Sequence, residues 1–165
     1  MTPEYVHILQ RLYYDQKASV RTDSTSKPFD LRRGTKQGDP LSSPLFNALL
    51  QHVLEPLIPE WQRRRRGVQL AHTHESVLTN LRFADDILLV SQTLSNLKVL
   101  LGDLITAATP HGLEVHPTKT KIMTNQLRIR TRTARIANVD IEVLPHTGDV
   151  KYLGQTITFH NASKT

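Results

Sequence analysis

The chain has 165 residues, 38% of them hydrophobic and 22% charged, which suits one domain with a modest core and excludes wholesale disorder. It contains no cysteine, which excludes a disulfide framework, a thiolate zinc site and a cysteine nucleophile. The net charge of +6 and the pI near 9.8 favour an anionic partner such as nucleic acid, although a basic surface also serves solubility alone.

The first predicted elements are a helix and a pair of short strands. Thr2 as the N-cap and Pro3 in the first turn are typical of a helix start, and apolar residues recur at helical spacing through residues 6–14. Residues 17–36 are rich in lysine and arginine, and they predict two short strands joined by a turn, with Pro28 at a strand edge.

A longer helix is predicted over residues 43–58. Ser43 is a candidate cap, Pro44 suits the first helical position, and an apolar stripe follows at helical spacing. Pro56 and Pro59 are expected to kink or end this helix.

The hydrophobic period then changes to that of strands. Within residues 78–91, apolar and polar residues alternate before two adjacent carboxylates, Asp85 and Asp86, and a run of apolar residues follows them. This pattern predicts two strands that form a hairpin with its turn across residues 84–86. A second amphipathic helix over residues 93–109 precedes short strand candidates separated by proline and glycine. The predicted fold class is α+β, with helices packed on one face of an antiparallel sheet.

The adjacent carboxylates are the strongest candidate for a site. Asp85 and Asp86 repel each other, and we expect Phe83 and Ile87 to desolvate them in part. A divalent cation relieves such repulsion, and Mg²⁺ prefers oxygen ligands. A solvated Asp-Asp turn in an ordinary hairpin is the alternative.

Four blocks of sequence extend this interpretation: RGTKQGDPLSSPLFN at residues 33–47, FADD at 83–86, GLEVHPTKTK at 112–121 and KYLG at 151–154. In sequence, order and approximate spacing they resemble the reverse transcriptase palm of non-LTR (LINE-type) retrotransposons, over about residues 5–157. FADD alone is weak evidence for this family, whereas QGDPLSSPLFN followed by FADD at this distance is highly specific to it. The resemblance implies that residues 1–165 are part of the palm domain of a right-hand polymerase.

The resemblance also implies a metal-dependent site at the hairpin. Asp85 matches the principal ligand of two catalytic Mg²⁺ ions, with Mn²⁺ as an alternative, and Asp86 matches a supporting carboxylate. Two metals in such a site activate the primer 3′ hydroxyl and stabilise the leaving pyrophosphate. Phe83 and Ala84 complete the box, next to the nucleotide and template.

Further roles are implied for the other blocks. Gln37 and Gly38 match a loop that packs against the incoming nucleotide and template, where glycine permits close backbone approach, although a turn before a helix explains them as well. Lys119 matches a lysine proposed to protonate pyrophosphate, and it also suits a solvated surface. A hairpin that grips the primer end, or a purely structural strand pair, is matched by Tyr152, Leu153 and Gly154.

The chain departs from the family's pattern in two ways. His116 stands where the family usually has asparagine, which alters the hydrogen bonding of that turn. The fingers, the thumb and the strand with the first catalytic aspartate have no counterpart here, since Asp15, Asp23 and Asp30 lie in no matching context. We therefore expect a fragment that is inactive alone, and we expect an unpaired strand edge beside Asp85 to favour self-association.

Basic clusters are candidates for contacts with phosphate. Residues 63–66 are four consecutive arginines, which also suit a solvated helix end. Arg128, Arg130 and Arg132 alternate, and we expect them to share one strand face. The eight histidines show no metal-ligand spacing.

Three functions compete. The first is a fragment of an RNA-directed DNA polymerase of a retrotransposon, whose partners are an RNA template, a DNA primer and deoxynucleoside triphosphates. The second is a non-catalytic remnant that at most binds nucleic acid. The third, an RNA virus replicase, is disfavoured because such enzymes commonly carry GDD where this chain has FADD.

The location of the protein is inferred from what the sequence lacks. The chain has no run of about 18 apolar residues. Residues 1–10 do not have the basic head and cleavage site of a signal peptide. We therefore expect an intracellular protein, nuclear or cytoplasmic, without a membrane partner.

Overall fold

The computed structural model describes residues 2–32, 34–36, 38–70, 77–129 and 131–159. The chain divides into two compact units, residues 1–42 and residues 43–165, although no composition shift or linker marks this boundary. The predicted mixture of helices and mainly antiparallel strands is confirmed.

The first unit contains a helix and a short hairpin. Helix α1 spans Pro3–Tyr13, and strand β1 (Lys17–Ala18) pairs antiparallel with β2 (Phe29–Asp30). Thr2 occupies the predicted N-cap position, but its side chain makes no capping hydrogen bond. No side chain of α1, which is described in full, is buried.

Three helices and a short 3₁₀ turn follow. They are α2 (Ser42–Leu54), α3 (Leu57–Arg63), α4 (Leu94–Ala108) and the 3₁₀ turn Thr109–His111. The predicted break at Pro56 is confirmed, because this residue is the N-cap of α3. Ser43 as a cap is wrong, since α2 begins one residue earlier and Ser43 lies inside its first turn. The predicted helix over residues 93–109 is confirmed as α4, and Gly112, which has a left-handed φ of 72°, ends the 3₁₀ turn that follows it.

The strands of the second unit are short. They are β3 (Val68–Gln69), β4 (Val77–Leu78), β5 (Asn80–Phe83), β6 (Asp86–Leu89), β7 (Lys121–Ile122), β8 (Thr133–Ile136), β9 (Val139–Val143), β10 (Asp149–Tyr152) and β11 (Gln155–Thr158). Antiparallel pairs form between β3 and β4, β5 and β6, and β10 and β11. The sheet β7–β9–β8 has a parallel pair, β7 with β9.

This arrangement differs from the single antiparallel sheet that we predicted. Among the described residues, the strands form separate small sheets rather than one continuous layer. The reason is local, because β5–β6, β8–β9 and β10–β11 are each closed by a tight turn, and neighbours in sequence pair with each other.

Helix α4 belongs to both core clusters, because it carries two adjacent stripes of buried apolar side chains. Leu100, Leu104 and Ala108 pack with buried residues of α2 and α3 into one cluster. Leu101 and Ile105 pack into a second cluster, formed with strands β7, β8 and β9. A helix that is apolar over this width is the natural centre of a layered fold.

Trp61 anchors the first of these clusters. Its side chain is fully buried, and its Nε1 donates a hydrogen bond of 2.9 Å to Asp103 Oδ2 on α4. Arg66 approaches the same carboxylate oxygen at 3.4 Å. A buried indole with a satisfied N–H thus ties α3 to α4.

Candidate functional site

The hairpin β5–β6 carries the two aspartates at its tip. Phe83 pairs with Asp86 in the register of the two strands, so Ala84 and Asp85 form a two-residue turn. Ala84 has a φ of 51°, in the left-handed region that residues other than glycine rarely adopt. The primed turns that are favoured in two-residue hairpins have a positive φ at the first turn position, which explains this conformation.

One face of the hairpin packs on the core. Ile87 and Leu89 of β6 lie against the first core cluster. Arg82, the register partner of Ile87, donates a hydrogen bond of 3.1 Å from its guanidinium to Gln51 Oε1 on α2. The hairpin is therefore held to α2 and α4 by both apolar contacts and a side-chain hydrogen bond.

The opposite face of the hairpin is open to solvent. Phe83 is 66% exposed and Leu81 is 47% exposed, and Asp86 shares their face as a register partner of Phe83. Asp85 and Asp86 are both exposed. The prediction that Phe83 and Ile87 desolvate the carboxylates is therefore wrong, since Phe83 faces solvent and Ile87 points to the other side.

The carboxylate pair provides oxygen donors of the kind that Mg²⁺ prefers. Two carboxylates on adjacent residues suit a hard divalent cation, which commonly keeps several waters and binds one or two protein carboxylates together with substrate phosphates. Throughout the part of the chain that the structure describes, no group of three or more His, Cys, Asp or Glu side chains stands close enough to hold a metal ion. The donor type fits a magnesium ion, and the donor number is two.

The loop before α2 contains Gly38, which has a φ of 87° and open space where a Cβ would lie. Gln37 lies outside the described residues, so the predicted pair is described only in part. Asp39, which the sequence argument did not single out, orders the loop. Its Oδ1 accepts the backbone N–H of Leu41 at 2.9 Å, and its Oδ2 accepts the Tyr13 hydroxyl at 3.4 Å. The signal was present, because Asp before Pro favours such a turn.

Lys119 lies exposed in a turn that closes with a hydrogen bond of 3.0 Å from Thr120 N–H to the His116 carbonyl. The His116 side chain forms a hydrogen bond in the same turn, in which its Nδ1 lies 3.2 Å from Thr118 Oγ1. The histidine that departs from the pattern of the resemblance therefore still bonds within its own turn.

The hairpin β10–β11 has a two-residue turn of its own, at Leu153 and Gly154. Both residues have positive φ, 51° and 78°, as a type I′ turn requires. Leu153 is unusual in this conformation, and it is 48% exposed at the tip of the hairpin. Tyr152 is half-buried and pairs with Gln155.

The predicted site residues thus fall into separate groups. Phe83, Ala84, Asp85 and Asp86 are brought together in one hairpin. Tyr152, Leu153 and Gly154 form a second hairpin, and Lys119 lies in a turn. Gly38 belongs to the first compact unit, whereas the other described site residues belong to the second.

Most of the arginines at residues 63–66 form ion pairs with carboxylates of the protein itself. Arg63 and Arg64 both bind Glu60, and the hydrogen bond from Arg63 is the main cause that lowers the pKa of the Glu60 carboxyl to about 2. Arg66 binds Asp103. This cluster is therefore tied to the surface of α3 and α4, which weakens its candidacy as a phosphate contact.

The two described arginines of the alternating set, Arg128 and Arg132, lie outside the strands. Arg128 and Arg132 are exposed and precede β8, which begins at Thr133, and Arg130 lies outside the described residues. The predicted strand is wrong at Arg128 and Arg132, because β8 begins only at Thr133, although the Arg132 carbonyl accepts the Val143 N–H of β9 at 2.8 Å. No helix within the described ranges is long and apolar enough to cross a membrane.

Comparison with known proteins gives a family and several relatives. A family model described as Reverse transcriptase (RNA-dependent DNA polymerase) matches residues 1–157. The chain is similar to the Retrovirus-related Pol polyprotein from type-1 retrotransposable element R2 of Nasonia vitripennis, at 32% identity over 74% of this chain and 12% of the relative.

Two further relatives come from other animals. The Retrovirus-related Pol polyprotein from type-2 retrotransposable element R2DM of Drosophila melanogaster is 28% identical over 93% of this chain and 15% of the relative. The Transposon TX1 uncharacterized 149 kDa protein of Xenopus laevis is 30% identical over 58% of this chain and 7% of the relative. The chain therefore spans only a small part of the length of these relatives.

Proposed function

The chain belongs to the reverse transcriptase family of retrotransposons, as its four sequence blocks indicated, and from this premise we propose that it carries part of the catalytic palm. The proposed parent reaction is template-directed deoxynucleotidyl transfer on an RNA template from a DNA primer. The observation that supports it best is the placement of Asp85 at the exposed tip of a hairpin that is fixed to the core.

The unequal positions of the two aspartates support unequal roles. Asp85 lies in the turn itself, where its carboxylate is accessible, and we assign it the role of principal metal ligand. Asp86 begins β6 beside Phe83, and we assign it a supporting role. When bound, two Mg²⁺ or Mn²⁺ ions supply activation of the primer 3′ hydroxyl and stabilisation of the pyrophosphate that leaves. A third carboxylate, from a strand that precedes this segment in the family, is needed to complete such a site.

The other matched residues are proposed to contact the nucleic acid and nucleotide. Gly38 leaves open space at its Cα, so a base or sugar can approach the backbone of its loop. The Lys119 ammonium is exposed and suits a counter-charge or proton donor for pyrophosphate. Leu153, at the tip of its hairpin, presents an apolar contact for the primer end. An intracellular location, with RNA, DNA and deoxynucleoside triphosphates as partners, accompanies this proposal.

The decisive experiment restores the missing carboxylate. We would fuse residues 1–157 behind the corresponding upstream palm segment of the Drosophila melanogaster relative and measure extension of a DNA primer on an RNA template. Extension is expected with Mg²⁺ and not with a chelator. Asp85→Asn should lower the rate by at least about 10²-fold, the scale on which removal of one transition-state stabilising group acts. Asp23→Asn, an exposed aspartate outside the hairpin, is the matched control and should leave the rate unchanged.

The same assay tests the alternative of a non-catalytic remnant. The 165-residue chain alone is expected to show no extension, because two carboxylates do not hold two metals at the separation of about 3.5–4 Å that such sites use. A folded fusion without activity would favour the remnant. Chelator-sensitive extension by the chain alone would contradict the assignment of a missing ligand.

A further inference from the structure

The loop that carries Gly38 is closed by hydrogen bonds within residues 36–42. The Lys36 carbonyl accepts two of them, from the Asp39 N–H at 3.2 Å and from the Ser42 hydroxyl at 2.6 Å. The Ser42 N–H in turn donates to the Asp39 carbonyl at 3.0 Å. The described residues of this loop are therefore tied together at points on both sides of Gly38.

The Asp39 side chain adds a link from this loop to helix α1. Its Oδ1 accepts the Leu41 N–H at 2.9 Å inside the loop, and its Oδ2 accepts the hydroxyl of Tyr13, the last residue of α1, at 3.4 Å. The Asp39 and Tyr13 side chains are both half-buried. Hydrogen bonds to an ionised carboxylate are stronger than those between neutral groups, so this one side chain stabilises both the loop and its attachment to α1.

Gly38 has no side chain of its own that could hold its conformation. Its φ of 87° lies in the left-handed region, and no described atom beyond its chain neighbours lies within 4 Å of the position that a Cβ would occupy. Because glycine is the residue with the widest conformational freedom, its place in the loop depends on the hydrogen bonds of the residues around it. Asp39 is the adjacent residue whose side chain and backbone both supply such bonds.

From these contacts we propose that Asp39, assisted by Tyr13, is a positioning residue that holds the backbone at Gly38 in the conformation that accepts an incoming deoxynucleoside triphosphate, a role that rests on the proposed function of this loop. Both oxygens of the Asp39 carboxylate already accept hydrogen bonds from the protein, so this residue acts through the loop and not as a ligand of the nucleotide. A loop that is ordered before binding loses less conformational entropy when the nucleotide binds. Loss of Asp39 therefore weakens nucleotide binding and leaves the chemical step unchanged.

The first measurement is hydrogen exchange of the Leu41 amide in the 165-residue chain. Asp39→Ala should accelerate this exchange at least about tenfold, because a hydrogen bond to a charged group is lost. Tyr13→Phe should accelerate it by a smaller factor. The matched controls are Asp30→Ala, at an exposed carboxylate of β2, and Tyr5→Phe, at a 64% exposed ring of α1, and both should leave the exchange rate unchanged. Circular dichroism compares the fold of each variant with that of the unaltered chain.

The second measurement is nucleotide binding by the fusion of the upstream palm segment to residues 1–157. On an RNA template with a dideoxy-terminated DNA primer, nucleotide-dependent retention of the primer gives the Kd of the next deoxynucleoside triphosphate without turnover. Asp39→Ala should raise this Kd at least about tenfold. Asp39→Asn keeps an acceptor for the Leu41 N–H and should raise it less. With an extendable primer, the rate at saturating nucleotide should stay within about twofold of that of the unaltered fusion.

The two measurements separate the role of Asp39 from the proposed function. A fusion that binds the nucleotide without extending the primer contradicts the proposed function, and its Kd values still test Asp39. The positioning role would be overturned by an unchanged exchange rate or Kd in Asp39→Ala, by a large loss of rate at saturating nucleotide, or by a fusion that binds no nucleotide. If Asp39→Ala does not fold, Asp39→Asn and Tyr13→Phe decide the same question, and unchanged values in both would overturn the role.

Discussion

Phe83 and Asp86 are opposite each other in the register of β5 and β6, and only Ala84 and Asp85 separate them. Residues paired in this way project to the same face of a hairpin, so Asp86 stands beside the exposed Phe83 ring. Asp85 occupies the turn. The two adjacent carboxylates therefore have different surroundings, which is the structural basis for giving them different roles.

The turn conformation leads to a prediction about stability. Ala84 has a φ of 51°, which is costly for a β-branched residue, so Ala84→Val should destabilise the chain by about 1–3 kcal/mol. Ala84→Gly should not destabilise it comparably. Ala18→Val, in strand β1, is the control, because a β-branched residue suits a strand. Urea unfolding measures all three, and an Ala84→Val variant as stable as the unaltered chain would contradict the turn geometry.

The exposed face of the hairpin predicts self-association. Leu81 is 47% exposed and Phe83 is 66% exposed on a two-stranded sheet whose outer edges pair with no other described strand. Light scattering should therefore show association, and Leu81→Lys should reduce it. Leu127→Lys changes a 77% exposed leucine elsewhere and serves as the control. Addition of the upstream palm segment should give a monomer with a sharp melt, and a chain already monomeric without it would exclude this role for the edge.

Nucleic-acid binding is expected to be weak and to depend strongly on salt, because the chain carries a net charge of +6. Arg128→Ala/Arg132→Ala removes two exposed guanidiniums and should reduce the slope of log K against log salt by about 2 on duplex DNA. Arg63→Ala/Arg64→Ala should have a smaller effect, because both arginines bind Glu60. Fluorescence anisotropy at several salt concentrations measures the slope, and affinity independent of salt would refute the electrostatic argument.

The link between α3 and α4 should contribute strongly to stability. Trp61→Phe removes the hydrogen bond to Asp103 and leaves a small cavity in a fully buried position, so it should cost about 1–3 kcal/mol. Tyr14→Phe, at an 83% exposed ring, is the control and should lie within about 0.5 kcal/mol of the unaltered chain. Urea unfolding followed by circular dichroism compares the two, and equal stability would show that the Trp61–Asp103 contact is dispensable.

Local patterns in the sequence were sufficient for most elements. Helical spacing of apolar residues predicted α1, α2 and α4, Pro56 predicted the break before α3, and the change of period predicted the β5–β6 hairpin. These features depend on residues a few positions apart, whose spacing maps directly onto one helix face or one strand face. The FADD box and its preceding block likewise identified the family before any contact was known.

Sequence periodicity did not always predict correctly where strands form or which strand face is buried, because both depend on the neighbouring elements. The alternation of Arg128, Arg130 and Arg132 predicted a strand, but Arg128 and Arg132 lie outside the strands, although the Arg132 carbonyl accepts the Val143 N–H of β9. Ile87 was expected beside the carboxylates, yet the pleat directs it into the core while Asp86 faces solvent. A strand face becomes buried or exposed according to what packs on it, and periodicity alone does not specify which face that is.

The sequence by itself determined the family, helices α1, α2 and α4, and the position of the two aspartates, because local periodicity and contiguous motifs encode them. Only the tertiary structure decided that Trp61 binds Asp103 and that His52 meets His111. The Trp61–Asp103 and His52–His111 contacts join residues far apart in the chain, and they exist because α4 packs against α2 and α3 around one shared core. Long-range packing of this kind depends on the whole set of apolar surfaces at once, so no single stretch of sequence specifies it.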